Sequence, residues 1–241
     1  MDMRCSISCI RKVKTSRAEQ RQVCFSASAS FITAGATCVV GIVALTRVNE
    51  ARELPLAATP LLFSIQQSIE GLLWLNLPLG SDILTLLYLV FAEVFWPLYA
   101  AIAVWLVERS QRHRHLMAAC LFSASIVGVY LLWFVLGRPY SATIADGHIA
   151  YIPTPRPANI SGLAYVAVAS LPLLLSTQRT VFIFGVIILV GLVVSRTFYL
   201  QTFISVWCFF AAAGSVTLLL YFFQKKPTSR TGYGPKVSVD Y

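Results

Sequence analysis

Residues 60–74 have the sequence PLLFSIQQSIEGLLW, and residues 91–99 have the sequence FAEVFWPLY. Each stretch lies inside a longer apolar segment that contains one acidic residue, Glu70 in the first and Glu93 in the second. A charged side chain near the centre of a bilayer costs about 2.5–3.5 kcal/mol on insertion scales, so both acids must be neutral, paired or facing water. An ionisable residue at that depth is by default a candidate functional site.

The composition of the whole chain is typical of a multi-pass membrane protein. Of its 241 residues, 57% are hydrophobic and 12% are charged, whereas soluble domains average about 25% charged. The net charge of +9 comes from Lys and Arg at the ends of the apolar segments and in the termini. Their expected partner is the lipid bilayer with its headgroups, and not nucleic acid.

Seven apolar segments reach or approach the length of about 20 residues that a spanning helix needs. The predicted fold class is therefore all-α, a polytopic membrane bundle of about seven transmembrane helices in a domain over residues 23–223. The fifth segment is the shortest and contains Pro172. The predicted helices cover residues 26–46, 54–75, 83–107, 116–137, 160–176, 180–200 and 203–223.

The basic residues between these segments are unevenly distributed, which predicts an orientation. Beyond residue 22, three of them (Arg138, Arg156 and Arg196) fall at one end of the bundle. The ten at the other end are Arg47, Arg52, Arg109, Arg112, Arg114, Arg179, Lys225, Lys226, Arg230 and Lys236. Since Lys and Arg concentrate on the cytoplasmic side, we expect a plasma-membrane protein with its N-terminus outside. Residues 224–241 would be a disordered cytosolic tail.

Residues 1–22 complicate this orientation, because they add six basic residues to the outer end. They contain no apolar core, so they are not a secretory signal. Three interpretations remain for this leader. It is an over-extended gene start, with translation beginning at Val23; an organelle transit peptide; or a cytosolic tail that reverses the orientation.

The second segment has a polar helix face. Gln66, Gln67, Glu70 and Trp74 follow i, i+3, i+4 and i+7 spacings, which place them on one side of an α-helix. Glu70 would lie about 10 Å below the outer boundary of the membrane. The face is either one wall of a binding pocket or a set of hydrogen-bonding contacts that only join helices.

The third segment offers a second acid at similar depth. Glu93 and Trp96 are three residues apart, so an α-helix would place them on one face. Glu93 would lie about 15 Å below the outer boundary. Pro97 lacks an N–H group and frees a backbone carbonyl one turn earlier, and in lipid that carbonyl needs a partner or a water-lined cavity. Trp74 and Trp96 fit equally well as residues of an interfacial aromatic belt.

Arg196 is a third charge inside an apolar segment. The sixth segment is long enough to span a bilayer only if Arg196 lies in its last turns, followed by a tight turn over residues 199–202. It would then lie about 6 Å below the outer boundary and is a candidate counter-charge for Glu70 or Glu93. Together these residues predict one outward-facing polar pocket for a small molecule, an ion or a proton.

Common cofactor and metal chemistries lack their residues. The six cysteines are scattered, no Cys/His cluster has the spacing of a zinc site, and no nucleotide-binding motif is present. His113, His115 and His148 fall in segments predicted to be loops, including a long polar loop over residues 138–159. We therefore expect no cofactor, no metal and no catalytic residue.

Two blocks of sequence resemble a family of uncharacterised multi-pass membrane proteins. Members of that family typically open with Met-Cys-Phe-Ser-Ala-(Ser/Thr)-Ala-Ser-Phe, and residues 24–31 here are CFSASASF, with Val23 in the place of the Met. The second block is RELPL at residues 52–56, followed by PLLF, QQ and EGLLW within residues 60–74. The resemblance covers residue 23 to about residue 223. It implies a seven-helix membrane protein, mostly from prokaryotes, and implies no activity.

Three functional hypotheses follow from these observations. The first is a protein that binds or transports a ligand, with Glu70 as the proton or cation site, Gln66 and Gln67 as hydrogen-bonding ligands, and Glu93 as a second acid. The second is a receptor-like or accessory subunit in which the polar residues only pack helices. The third, a membrane enzyme that uses the two acids, has the least support.

Overall fold

The computed structural model describes residues 26–77, 82–145, 147–153 and 160–224. The leader over residues 1–22, the start at Val23 and nearly all of the predicted tail lie outside these residues. The helices are α1 (Ala27–Thr46), α2 (Leu54–Asn76), α3 (Asp82–Leu89), α4 (Trp96–Val107), α5 (Gln111–Leu136), α6 (Ile160–Leu174), α7 (Arg179–Phe198), α8 (Phe203–Ser215) and α9 (Leu218–Gln224).

Two pairs of these helices form longer spans. A π-helical segment, Val90–Phe95, joins α3 to α4, and α8 continues into α9 after a short break. Five helices of the described part are long and apolar enough to cross a membrane: Ala27–Thr46, Asp82–Val107, Gln111–Leu136, Arg179–Phe198 and Phe203–Gln224. These five correspond to five of the seven predicted segments. Helices α2 and α6 correspond to the other two segments, and they do not meet the combined requirement of length and apolar composition.

The first two helices form a close antiparallel pair for local reasons. The Ser26 hydroxyl caps α1 by accepting the N–H of Ala29 at 3.4 Å, which satisfies one of the free donors at the helix start. About three-quarters of the way along α1, a Cβ atom on Gly41 would lie 2.7 Å from the backbone nitrogen of Leu61. The absence of a side chain there allows α1 and α2 to approach closely, as small residues commonly do in membrane helix pairs.

The remaining helices pack around α4 and α8. Helix α4 contacts α2, α5 and α6, and α8 contacts α1, α2 and α7. A core of aromatic and aliphatic side chains, including Phe63, Trp96 and Trp207, fills the space between them. Large apolar side chains also cover the outside; on α5, Phe122, Val129 and Trp133 are each more than two-thirds exposed. An apolar exterior of this extent is unusual in a soluble monomer and is compatible with a surrounding bilayer.

The prediction of a loop over residues 138–159 was wrong, because this segment contains a β-hairpin. Strands β1 (Tyr140–Ala145) and β2 (His148–Pro153) are antiparallel, and Ala145 pairs with His148 across the turn. Gly147 has φ 74°, the left-handed conformation that two-residue hairpin turns require and that glycine adopts without strain. The hairpin packs against α3 and α8.

The predicted loop positions of the histidines were also wrong. His113 and His115 lie in the first turns of α5, which begins five residues earlier than predicted, at Gln111. Arg is a good helix former, and the guanidinium of Arg114 lies 5.1 Å from the ring centre of Trp105 on α4. His148 begins β2 and is buried.

Candidate functional site

Glu70 lies inside the bundle on the polar face of α2. Gln66, Gln67 and Glu70 are all at most 2% exposed, so the three side chains share one buried face, as their spacing predicts. The Ser205 hydroxyl on α8 donates to Oε1 of Glu70 at 2.5 Å, and the amide of Gln67 donates to Oε2 at 3.2 Å. Both donors are neutral, so the carboxylate has hydrogen bonds but no ion-pair partner among the described residues.

Gln66 connects three helices through its amide. Its oxygen accepts the indole N–H of Trp96 at 2.6 Å, and its nitrogen donates to the Cys208 thiol at 3.3 Å. The ring of Trp96 stacks on Phe63 with the centroids 3.8 Å apart. Trp96 is thus a buried interior residue, and the aromatic-belt interpretation of this tryptophan was wrong.

Two buried polar atoms beside Glu70, Oε1 of Gln67 and the hydroxyl of Tyr151, have no hydrogen-bond partner in the described part of the chain. Tyr151 belongs to β2, and its ring stacks on that of Tyr88 on α3 with the centroids 4.8 Å apart. The Tyr88 hydroxyl lies close to both Glu70 and Cys208, and the Tyr151 hydroxyl lies within electrostatic range of the same two residues. Because an unpaired buried polar group costs about 1–3 kcal/mol, two of them in one place indicate more than helix packing.

Glu93 and Trp96 do not share a face, contrary to the prediction from α-helical spacing. The segment between Val90 and Phe95 is π-helical, with bonds from residue i to i+5 that widen the turn. The N–H of Trp96 accordingly reaches back to the carbonyl of Phe91. The wider turn directs Trp96 towards Gln66, while Glu93 lines a separate cavity.

Pro97 leaves a backbone carbonyl without its helical donor, as predicted. In the π-helical register this carbonyl belongs to Ala92 rather than to Glu93, because Pro97 would be the next donor after Trp96. The Tyr165 hydroxyl on α6 donates to Ala92 O at 2.6 Å. One side chain thereby fixes the π-helical turn that carries Glu93 and attaches it to α6.

Glu93 lines a cavity of about 230 Å³ near the end of the bundle that carries the hairpin. The Glu93 side chain is half-buried and makes no hydrogen bond or ion pair with any described residue. The phenol of Tyr140 on β1 lies close to it, and burial and then the Glu93 charge raise the pKa of Tyr140 above its ordinary value. The other lining residues are Leu131, Phe134, Tyr151, Gly162, Tyr165, Phe203, Ile204 and Trp207.

Tyr151 lies between the two acids. Its ring stacks on Tyr88 beside the Glu70 cluster and also lines the Glu93 cavity. The hairpin holds it there through Ile149, which is fully buried, and through His148, whose ring lies 4.7 Å from that of Tyr199. Tyr151 therefore connects the Glu70 cluster to the Glu93 cavity.

Two predicted site residues lie away from this region. Trp74 is half-buried and packs at the edge of the apolar cluster that includes Leu73 and Tyr88. Arg196 lies in the last turn of α7, before a turn over residues 199–202, as predicted. Its side chain is exposed and forms no ion pair with Glu70 or Glu93. Helix α8 packs against both α2 and α7 and lies between them, which explains why Arg196 does not reach either acid.

The opposite end of the bundle contains a buried acid of a different kind. Glu108, at the C-terminus of α4, is 1% exposed and accepts hydrogen bonds from the N–H groups of Arg109, Ser110 and Thr177 and from the Thr177 hydroxyl. Burial raises the pKa of Glu108, but these hydrogen bonds outweigh it and hold the pKa below its ordinary value of 4.5. The carboxylate therefore joins α4 to the loop before α7.

Four site residues were missed by the sequence analysis: Tyr88, Tyr151, Ser205 and Cys208. Tyr88 and Ser205 are ordinary residues of apolar segments, and only long-range packing brings them to Glu70. Tyr151 had a usable signal. Asp-Gly at residues 146–147 lies between two short runs rich in β-branched and aromatic residues, which is typical of a two-residue hairpin.

Comparison with known proteins adds a family without a known role. The model of a family of unknown function (DUF6629) matches residues 23–232. No curated protein matches the chain, and no solved structure does.

Proposed function

The chain belongs to this family of unknown function, and we propose that it is a multi-pass membrane protein. It binds or transports a small molecule, an ion or a proton through an outward-facing polar pocket. In this proposal Glu93 contacts the ligand in its cavity, and Glu70 is the proton site beside it. Gln67, Tyr88 and Tyr151 supply polar contacts between the two.

The proposal includes seven membrane-spanning helices with the hairpin end outside. Helix α2 has 23 residues, about 34 Å at 1.5 Å per residue, which exceeds the ~30 Å hydrocarbon core despite its polar face. Helix α6 has 15 residues, about 22 Å, so the proposal requires a locally thinner bilayer around this helix. The excess of Lys and Arg at the opposite end supports a cytoplasmic location for that end.

The observation that carries this proposal is that Glu93 makes no hydrogen bond or ion pair with any described residue. A half-buried carboxylate without a donor is unfavourable in an apolar bundle, yet this one lines a cavity large enough for a small molecule. Intramembrane acids of this kind commonly mark ion or substrate pathways. A purely structural acid would be expected to resemble Glu108, with its hydrogen bonds satisfied.

The Glu70 cluster is suited to gain and lose a proton. With Glu70 ionised, the Gln67 amide nitrogen donates to Oε2 of Glu70, while the amide oxygen has no partner among the residues that the structure describes. If Oε2 is protonated, a half-turn of the Gln67 amide places the oxygen where it accepts the new O–H. The same pair of residues thus has a hydrogen bond in both states, which supports Glu70 as a proton site.

Proton movement through reconstituted protein tests the proposal directly. The protein is placed in liposomes containing the pH-sensitive dye pyranine, a membrane potential is imposed, and the proton flux is measured. We expect flux through the wild type and a reduction of about tenfold or more for Glu70→Gln and for Glu93→Gln, since removing a positioned proton-transfer group commonly costs 10²–10⁴-fold.

Asp82→Asn is the matched control, because Asp82 is an exposed acid at the start of α3, on the same span as Glu93. It removes one negative charge from the same end of the molecule and should leave the flux unchanged. Equal flux through the wild type and all three variants, with all four folded, would refute the proposal.

An accessory subunit is a second candidate, and the Gln66 network favours it. Gln66 joins α2 to α4 through Trp96 and to α8 through Cys208, and its side chain has no unpaired atom. If the whole polar face has this role, Glu70→Gln and Gln66→Leu would both lower the folded yield, and neither would alter proton flux per folded molecule.

A further inference from the structure

The Glu93 cavity combines one carboxylate with an aromatic wall. Six of its lining residues are aromatic: Phe134, Tyr140, Tyr151, Tyr165, Phe203 and Trp207. Aromatic faces attract cations through their quadrupole, and cages of such rings recognise organic ammonium groups. A carboxylate at the wall of such a cage adds a full negative charge, and among the described residues no cation neutralises it.

One ring of this wall already contacts a cation. The guanidinium carbon of Arg138 lies 3.9 Å from the ring centre of Phe134. Arg138 does not reach Glu93, since the described ion pairs do not include it. The aromatic wall therefore attracts positive charge in the protein itself, while the carboxylate remains without one.

The Tyr151 side chain separates this cavity from the Glu70 cluster. Its ring lines the cavity, but its hydroxyl oxygen is buried and lies within electrostatic range of Glu70 and Cys208. A ligand that fills the cavity would therefore meet the Tyr151 ring and the carboxylate of Glu93.

The volume limits the size of the ligand. A cavity of about 150 Å³ accommodates benzene, so the 230 Å³ found here corresponds to a molecule of about nine non-hydrogen atoms by simple scaling. The cavity is therefore large enough for a small amine. A bare metal ion would not use the aromatic surface.

From these features we infer that the ligand of the Glu93 cavity is a small organic ammonium compound. The inference rests on the proposed function, of which it names the substrate class. The carboxylate of Glu93 neutralises the ammonium charge, and the aromatic rings surround its alkyl groups.

Binding of matched probes to the full-length protein in detergent micelles tests the inference. The probes are choline, 2-phenylethylammonium and 3,3-dimethylbutan-1-ol, which is the uncharged carbon isostere of choline. Binding is followed by tryptophan fluorescence, because Trp207 lines the cavity, and by isothermal titration calorimetry. We expect at least one ammonium probe to bind, and the neutral isostere to bind at least about 30-fold more weakly.

Three variants separate the contributions. Glu93→Gln should weaken ammonium binding by about 30-fold or more, because it removes the counter-charge. Phe203→Leu keeps the apolar volume but removes one ring and should weaken binding by about threefold to tenfold. Asp82→Asn removes an exposed charge at the same end and should leave the affinity unchanged, which controls for long-range attraction of cations.

The inference is overturned if neither ammonium probe binds, if the neutral isostere binds equally well, or if Glu93→Gln binds like the wild type. Such a failure leaves the proposed function standing whenever proton flux still depends on Glu70 and Glu93, because the flux measurement contains no organic cation.

Discussion

Glu108 and Glu93 belong to the same helical span, yet the protein treats their carboxylates in opposite ways. Glu108 is nearly inaccessible and accepts four hydrogen bonds. Glu93 is half-buried, and in the described part of the chain it accepts none. Both are acids next to apolar sequence, so burial alone does not separate a structural carboxylate from a functional one. The number of hydrogen-bond donors around each carboxylate separates the two kinds.

The largest expected effect is on the structural acid. Glu108→Gln keeps the shape but places an amide N–H₂ where the carboxylate accepted N–H donors. Hydrogen bonds to charged groups contribute about 1.5–3 kcal/mol, so we expect a loss of about 2 kcal/mol in the free energy of unfolding. Thermal unfolding in detergent micelles measures this loss. A stability equal to that of the wild type would contradict the structural role of Glu108.

A pair of tyrosine variants tests the hydrogen bond that holds the π-helical turn. Tyr165→Phe removes the donor to the Ala92 carbonyl and should cost about 1–2 kcal/mol, because a buried carbonyl loses its partner. Tyr151→Phe removes a buried hydroxyl that has no hydrogen-bond partner in the described part of the chain, so we expect no loss of stability and a gain of up to about 1 kcal/mol. Equal losses for the two variants would contradict this assignment.

The functional acid should respond in the opposite direction to Glu108. Glu93→Gln replaces an unpaired charge by a neutral group of the same size, and we expect a gain of about 1 kcal/mol in the free energy of unfolding without ligand. A gain in stability together with a loss of proton flux would be the signature of a site that is strained for function. A loss of stability would show that Glu93 has a structural partner.

The smallest effect is the pH dependence of the structural contact. The pKa of folded Glu108 lies below its ordinary value of 4.5, so its ionised form stabilises the fold. This stabilisation is fully present above pH 4.5 and is lost as the pH falls through the lower, folded pKa. The stability difference between wild type and Glu108→Gln should therefore shrink on acidification below that pH. A constant difference would contradict the lowered pKa.

The sequence predicted the helical segments well, because hydropathy is a local property. Each of the seven predicted segments coincides with a helical stretch, and the turn after Arg196 lies where helix length required it. The shared face of Gln66, Gln67 and Glu70 was predictable for the same reason, since their spacing along one helix determines it.

The rest of the site depends on contacts between residues distant in sequence. Ser205 is 135 residues from Glu70, and nothing in an apolar helix marks one serine as the donor. Arg196 was expected to pair with one of the acids only because of its depth in the membrane. The structure shows that its side chain lies on the exposed face of α7. The hairpin that brings Tyr151 to the site was missed because a polar segment between apolar ones is usually a loop.

The π-helical segment has a consequence for how this span evolves. A π-helical turn contains one more residue than an α-helical turn, so the side chains that follow it are rotated about the helix axis. The first half, α3, packs against α2 and the hairpin, while the second half, α4, packs mainly against α5 and α6 and also contacts α2. Deleting a single residue between positions 90 and 95 would restore regular phase and rotate one half away from its neighbours. The π-helical segment therefore allows the two halves of one continuous span to have different orientations about the helix axis.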